Sequence, residues 1–406
     1  ESITVEQLLT HTSGLEPFLP LWRDWPDKPS RIKAVMDVAP AEPPGTAYVY
    51  SDLNLIALGV LVERVTGSTL DAVVREKITR PLGMTDTGFN PPSSTLDRIA
   101  ATEFQANPPR GLVRGEVHDE NAWSLGGVAG HAGVFSTARD LAILSQAILG
   151  GGGYAGHRVL APDTVRAMLT DYNQDFPGDS HGLGFELNQR WYMGGLSALT
   201  TAGHTGFTGT SLVIDPSSRS IAILLTNRVH PTRDWGSINR AREAVATGLA
   251  KSLGVPPRAG QDTWYTGIGN ATTAILTTDA LPARREVHIG FDVFVDSEDT
   301  DTLALESSVD GVTWRPVPVR AHGRGAPDGE VTELSGGGHR AWWSVNAALP
   351  ASGTMFLRWR FTTDPLYTGR GIHLDNIKVT EGDRTLLDGE KQPTRFDSQL
   401  WERRER

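Results

Sequence analysis

Leu199-Thr-Thr-Ala-Gly-His-Thr-Gly-Phe-Thr-Gly-Thr-Ser-Leu-Val-Ile-Asp-Pro-Ser-Ser-Arg-Ser-Ile-Ala-Ile-Leu-Leu-Thr-Asn227 decides how the first half of this chain folds. Two apolar, partly β-branched runs, Ser211 to Asp215 and Ser220 to Thr226, flank Asp215-Pro216-Ser217-Ser218. That is turn chemistry between two strands, so the stretch reads as a β-hairpin. The run Ile221 to Leu225 is continuously apolar, which predicts a strand covered on both faces. Ahead of the hairpin stands Gly203-His204-Thr205-Gly206. Its small residues let a ligand approach the backbone. An imidazole, a hydroxyl and free N–H groups at a strand end can hold an oxyanion.

Working outward, the 406 residues suggest two or three domains. Apolar content of 39% supports packed cores, and 21% charged residues argue against disorder. The net charge of −10, with no basic block, disfavours nucleic acid as a partner. The absence of cysteine removes disulfides, thiolate metal sites and Cys nucleophiles. No apolar run is long enough to span a bilayer.

Helix signals dominate up to about residue 255. Thr4 and Gln7 have capping-box spacing, with Ile3 and Leu8 as a hydrophobic staple, and predict a helix from Val5 to Leu9. Residues 16–47 are rich in proline and read as a surface excursion with a partial helix between Pro29 and Pro40. Ser51 is placed to cap a helix from Asp52 to Val65, closed by Gly67, and Ser68 with Asp71 to cap the next. Ser136 to Asp140 open an amphipathic helix ending at Leu149, and a last one runs from about Ser237 to Leu253. After Val255-Pro-Pro-Arg-Ala-Gly260 the helical period stops. Strand-like runs follow at Val287–Val295, Leu303–Ser308, Thr313–Val319, His339–Val345, Met355–Thr362 and Ile372–Val379, the pattern of an all-β sandwich. The expected organisation is one domain over 1–256, a β-sandwich over 257–386, and a charged, frayed tail over 387–406.

Leu8-Leu-Thr-His-Thr-Ser-Gly-Leu15, Pro44-Gly-Thr-Ala-Tyr-Val-Tyr-Ser-Asp52, Pro81-Leu-Gly-Met84, Gly130-His-Ala-Gly-Val-Phe-Ser-Thr137 and Gly203-His-Thr-Gly206 stand in the order seen in the serine β-lactamase-like family. Class C β-lactamases, DD-peptidases and related esterases and amidases belong to it. The resemblance covers about residues 1–255. Gly115-Glu-Val-His-Asp-Glu-Asn-Ala122 looks like a branch with muramyl-peptide amidases and periplasmic esterases. The implied fold is an α/β (α+β) β-lactamase/transpeptidase-like domain, an antiparallel sheet flanked by helices, followed here by a jelly-roll sandwich. Thr363 to Asn376 resembles the final strands of jelly-roll modules appended to secreted hydrolases.

The resemblance implies a secreted or cell-envelope serine hydrolase working through an acyl-enzyme on an amide or ester, with a small molecule or cell-wall peptide as substrate and no cofactor. Tyr50 takes the place of the proton-shuttling tyrosine, and His204 stands in the Lys/His-Thr-Gly element. Asp52, Thr205, Gly206 and Phe207 line the substrate, with the Phe207 N–H as one oxyanion donor. Asp52 stands where Asn is more usual, which disfavours an anionic substrate group beside it. The family's Ser-x-x-Lys precedes the Leu8–Leu15 segment. The chain opens directly at that segment, so the expectation is that the nucleophile lies upstream, that this chain alone is inactive, and that apolar surface is left open. The one Ser-x-x-Lys, Ser30-Arg-Ile-Lys33, sits between Pro29 and Pro40, and Ser30 reads as a helix cap. The alternative from another class is a non-catalytic binding protein joined to a glycan-binding sandwich.

Three further groups have two readings each. His118, Asp119, Glu120 and His131 offer metal donors, but a loop role is favoured and no metal is expected. Trp264, Tyr265, Trp314, Trp342, Trp343 and Tyr367 form either a glycan platform or sandwich core. Asp292, Asp296, Glu298, Asp299 and Asp301 form either a calcium loop or a solvated acidic one.

Overall fold

The computed structural model describes residues 2–336, 339–351 and 353–405. The chain forms two compact units, Glu1–Tyr192 with Thr200–Arg242, and Met193–Leu199 with Glu243–Arg406. The division lies inside the helix Asn239–Ser252, whereas the sequence reading put a boundary after residue 256. Residues 193–199 join the second unit through such contacts as the Gly195 N–H donating to the Thr247 hydroxyl at 3.0 Å.

In the first unit the helix Val5–Leu9 has the expected capping box: Thr4 Oγ1 accepts the Gln7 N–H, and the Gln7 side chain accepts the Thr4 N–H. The helix Asp52–Thr66 ends at Gly67 in the left-handed conformation. Its apolar face is built from Leu53, Ile56 and Ala57, which pack with Leu15, Leu21, Val35, Val117, Ala122 and Leu125. Ser51 occupies the N-cap position without capping; its hydroxyl donates to Glu16 O at 2.6 Å. The next helix starts at Leu70 behind Thr69, so Ser68 is not its cap. Within the expected opening Ser136 to Asp140, Thr137 is the cap and accepts the Asp140 N–H at the start of Ala138–Leu149.

Besides three two-stranded ribbons, this unit has a sheet of four antiparallel strands: β1 (Glu186–Leu187), β2 (Ala202–Thr205), β3 (Ser211–Asp215) and β4 (Ser220–Leu224), in the order β4-β3-β2-β1. The hairpin forms as read, with Ser220 opposite Asp215. Asp215 accepts hydrogen bonds from the turn residues Ser217 and Ser218. β4 is an edge strand and not a strand covered on both faces, since only Ala222 in it is fully buried. Ile148 and Val165, from the helices Ala138–Leu149 and Pro162–Met168, pack on Ile214 of β3.

The second unit contains β5 (Asp262–Thr266), β6 (Thr273–Thr278), β7 (Leu281–Ala283), β8 (Val287–Asp296), β9 (Thr302–Ser308), β10 (Arg315–Pro316), β11 (Arg320–His322), β12 (Ala341–Leu349), β13 (Gly353–Thr362), β14 (Gly371–Glu381), β15 (Arg384–Asp388), β16 (Phe396–Gln399) and β17 (Glu402–Glu405). One antiparallel sheet runs β11-β12-β8-β14-β5-β17, with β15 on β14. The other runs β10-β9-β13-β6-β16, with β7 on β13. Trp343, Phe291 and Leu374 from the first share a core with Trp359, Phe361 and Leu276 from the second.

Residues expected to fray at the C-terminal end are strands. β16 pairs with β6 and β17 with β5. Thr313–Val319 is broken into the short β10 and a bridge at Val319. Trp264, Tyr265 and Trp343 are buried, so the six aromatics do not form one surface platform. Asp292 and Asp296 are tied to Arg258 and to Arg340 and Arg370, and only Glu298 and Asp301 of the acidic loop come together, with Asp364.

Candidate active site

Gly203 in the centre of β2 lies where a Cβ would stand 2.3 Å from Leu212 O and 3.0 Å from the Tyr192 hydroxyl, so no larger residue fits there. His204 and Thr205 follow, half-buried. His204 Nδ1 lies within hydrogen-bond distance of its neighbour's peptide, 2.8 Å from Thr205 O and 3.0 Å from Thr205 N. Nε2 is therefore the ring nitrogen left to meet a ligand. Gly206 turns the chain, its N–H donating to Thr210 O and its carbonyl accepting from Arg242 Nη2 at 2.7 Å. The Phe207 N–H has no hydrogen-bond partner among the described residues.

Tyr50 comes to this strand end from a segment far away in sequence. Its ring centroid is 6.1 Å from that of His204 and 4.5 Å from that of His11. Although 46% of the residue is open to solvent, burial of its surroundings pushes the phenol above its ordinary range, and the Asp52, Glu186 and Asp119 carboxylates push it further. The phenol is thus protonated at neutral pH.

His11 explains why Tyr50 stands there. It adopts a φ of 57°, a left-handed conformation that a non-glycine residue takes only when its surroundings hold it. His11 Nδ1 accepts the Ser51 N–H at 3.0 Å and the Asn54 Nδ2 amide at 3.2 Å, and its carbonyl accepts the Val49 N–H. Asn54 Oδ1 in turn accepts the Ser13 hydroxyl at 2.6 Å. With two donors on Nδ1, the neutral ring carries its proton on Nε2. Burial, with the charges of His181 and His204 adding to it, drops His11 to about 3.

Beneath lies a second buried layer. His181 Nδ1 donates to Gly182 O at 2.7 Å, its Nε2 is buried without a partner among the described residues, and burial lowers it to about 4. Burial raises the Glu186 carboxyl, opposed chiefly by His204. Burial, then Glu186, pushes the Tyr192 phenol far up. His11, His181 and Glu186 escaped the sequence reading; the one available signal was the place of His11 within the Leu8–Leu15 segment.

Asp52 is the first residue of its helix, and burial raises its carboxyl, with His131 opposing and Asp119 reinforcing the rise. It faces Asp119 and His131. His118 and Glu120 go elsewhere. His118 Nε2 lies 2.8 Å from Glu103, which also binds Arg233; Arg233 closes on Glu120. Burial works against it, but Arg233 and His118 hold Glu103 down at about 2. Phe207, 59% exposed, stacks on His118 with ring centroids 5.7 Å apart, flanked by the Arg228 and Arg233 guanidinium groups.

A recess of about 420 Å³ opens beside Thr205 and Phe207 and is also lined by Trp191, Arg228, Trp235 and Arg242. Aromatic walls and two guanidinium groups suit an anionic, partly apolar ligand. Ser30 and Lys33 do not form a nucleophile pair. The Ser30 hydroxyl donates to Asp27 O at 2.9 Å in the capping box of Lys28–Asp37, and Lys33 pairs with Asp37.

The family model described as Beta-lactamase matches residues 1–247. A protein of Escherichia coli (strain K12) provisionally named D-alanyl-D-alanine carboxypeptidase is 41% identical over 204 residues, 46% of this chain and 46% of that protein. One of the same name from Salmonella enteritidis PT4 (strain P125109) is 40% identical over 205 residues, with the same coverage of each. These matches span about half the length of the curated relatives. A penicillin-binding protein homologue from Caulobacter crescentus is 26% identical over 61% of this chain and 71% of its own, with a TM-score of 0.44.

Proposed function

Because this chain belongs to the serine β-lactamase-like family, we propose that it carries part of the active site of a hydrolase that cleaves an amide or ester at a peptide terminus through an acyl-serine. The observation that carries this reading is the meeting of Tyr50 and His204, drawn from positions 154 residues apart in the chain, with ring centroids 6.1 Å apart beside a Phe207 N–H that has no partner among the described residues. In the proposed step a serine Oγ bonds to the carbonyl carbon and its proton passes through the Tyr50 hydroxyl to the leaving nitrogen or oxygen. Water then takes the leaving group's place and releases the acid and the serine. A protonated Tyr50 fits a relay; an ammonium group beside it would lower its pKa and make it a base. The Phe207 N–H is one oxyanion donor. His204 and Thr205 orient the substrate, and the recess at Arg228 and Arg242 takes its carboxylate.

The names of the relatives support a peptide ending in D-alanine as substrate and a cell-envelope or secreted location. No single described helix is long and apolar enough to cross a membrane. A second reading, a binding protein without a nucleophile, is favoured by one observation: Ser30 and Lys33 are both occupied within their own helix.

The test is labelling with a serine-reactive fluorophosphonate, on this chain and on an N-terminally extended one, followed by peptide mapping. Labelling of an upstream serine in the extended chain is the expected result. Labelling of Ser30 would overturn the assignment of that residue to a cap. No labelling of either folded protein would establish the binding reading instead.

A further inference from the structure

We infer that Asp52, Asp119 and His131 form a divalent-cation site at the rim of the Tyr50 cleft, with a donor set that favours Zn2+. One ligand atom from each lies within 4.8 Å of the other two. The three come from separate elements: the first residue of the helix Asp52–Thr66, the N-cap of Glu120–Ser124, and the Gly130–Gly133 loop. That loop is fixed, because Gly130 packs so tightly on the long helix that a Cβ would fall 1.8 Å from Leu55 O.

The ligand atoms are oriented. Asp119 Oδ1 accepts the Ala122 N–H at 2.7 Å and lies 2.9 Å from His131 Nε2. The His131 side chain is 4% exposed, so its ring cannot turn to water. The Asp52 carboxylate is half-buried and receives no hydrogen bond from any described residue. A carboxylate taken from water without a donor is costly unless a cation meets it. Two carboxylates against one imidazole leave the cluster negative even with His131 protonated.

Imidazole mixed with carboxylate suits Zn2+, whereas Ca2+ takes oxygen ligands throughout. Three protein ligands leave a further coordination position open, the arrangement of a site that exchanges water or ligand. The other carboxylate group, Glu298, Asp301 and Asp364, is all oxygen. Its members already accept the N–H groups of Tyr367, Asp364 and Leu366.

Ion binding by these three side chains does not depend on hydrolysis by the protein. The full chain, freed of metal with a chelator, is titrated with Zn2+ in a calorimeter. One saturable Zn2+ is expected at this site, with Asp52→Asn and His131→Gln each weakening it by at least about tenfold. Glu298→Gln serves as the control and leaves it unchanged. Circular dichroism verifies folding, and if one variant unfolds the other decides. Absence of saturable binding, binding indifferent to both variants, or tighter binding of Ca2+ than of Zn2+ would each overturn the proposal.

Discussion

His11 touches no proposed reacting atom, yet it holds the segment that presents Tyr50. Replacing it with Ala leaves the Ser51 N–H and the Asn54 amide without their acceptor in a buried place. The expected cost is about 1–3 kcal/mol, read as a lower urea midpoint at unchanged slope. A fall in the rate of fluorophosphonate labelling of the extended chain should accompany it, because Tyr50 loses its support. His11 had to be seen in place to be assigned this role. Its partners are 40 and 43 positions away, and nothing local distinguishes an imidazole that accepts a backbone N–H from one in an ordinary turn. Tyr50, Thr205 and His204 could be singled out in the sequence because each stands in a short motif. Asp52 was read as a residue facing substrate, while its carboxylate faces Asp119 and His131.

The helix Asp52–Thr66 is the element on which the site depends, since it carries Asp52 and packs against the His131 loop. Gly130→Ala would drive a methyl group into Leu55 O, a contact that backbone must relieve by moving. A loss of about 1–3 kcal/mol is expected from such overpacking, measured by chemical denaturation, with no comparable effect at Gly88, where a Cβ meets open space and the backbone is not left-handed. Helix ends and the hairpin were legible because capping boxes, Gly67 and Asp215-Pro216-Ser217-Ser218 act locally. Ser51 and Ser68 misled because a hydroxyl at the right spacing can find another acceptor, as Ser51 does in Glu16 O. β17 was illegible for a different reason. Its sequence Glu402-Arg-Arg-Glu405 has no apolar alternation, and its place on β5 is supported by Arg403 over Trp264 and Arg404 over Tyr265, centroid distances of 5.3 and 4.5 Å.

At the scale of the whole molecule, His11 and His181 couple folding to pH. Both lie below the ordinary histidine value when folded, so between pH 6.5 and about 4 the unfolded chain binds more protons than the folded one. Their contribution is complete above pH 6.5 and is lost as pH falls, at up to about 1.4 kcal/mol per pH unit for each group. Tm is therefore expected to fall steadily through that window, and His181→Gln should flatten the slope; a Tm independent of pH there would contradict the burial of both rings. The sandwich carries a different consequence. Trp264 of β5 pairs with Leu374 and Arg403, and Ile275 of β6 with Arg360 and Gln399, so its two earliest strands find every ladder partner far downstream. Closing such loops costs chain entropy before any contact repays it. The β-rich unit should be the slower of the two to fold, keeping Trp264 and Leu276 accessible to chaperones or to other chains while it waits for β16 and β17.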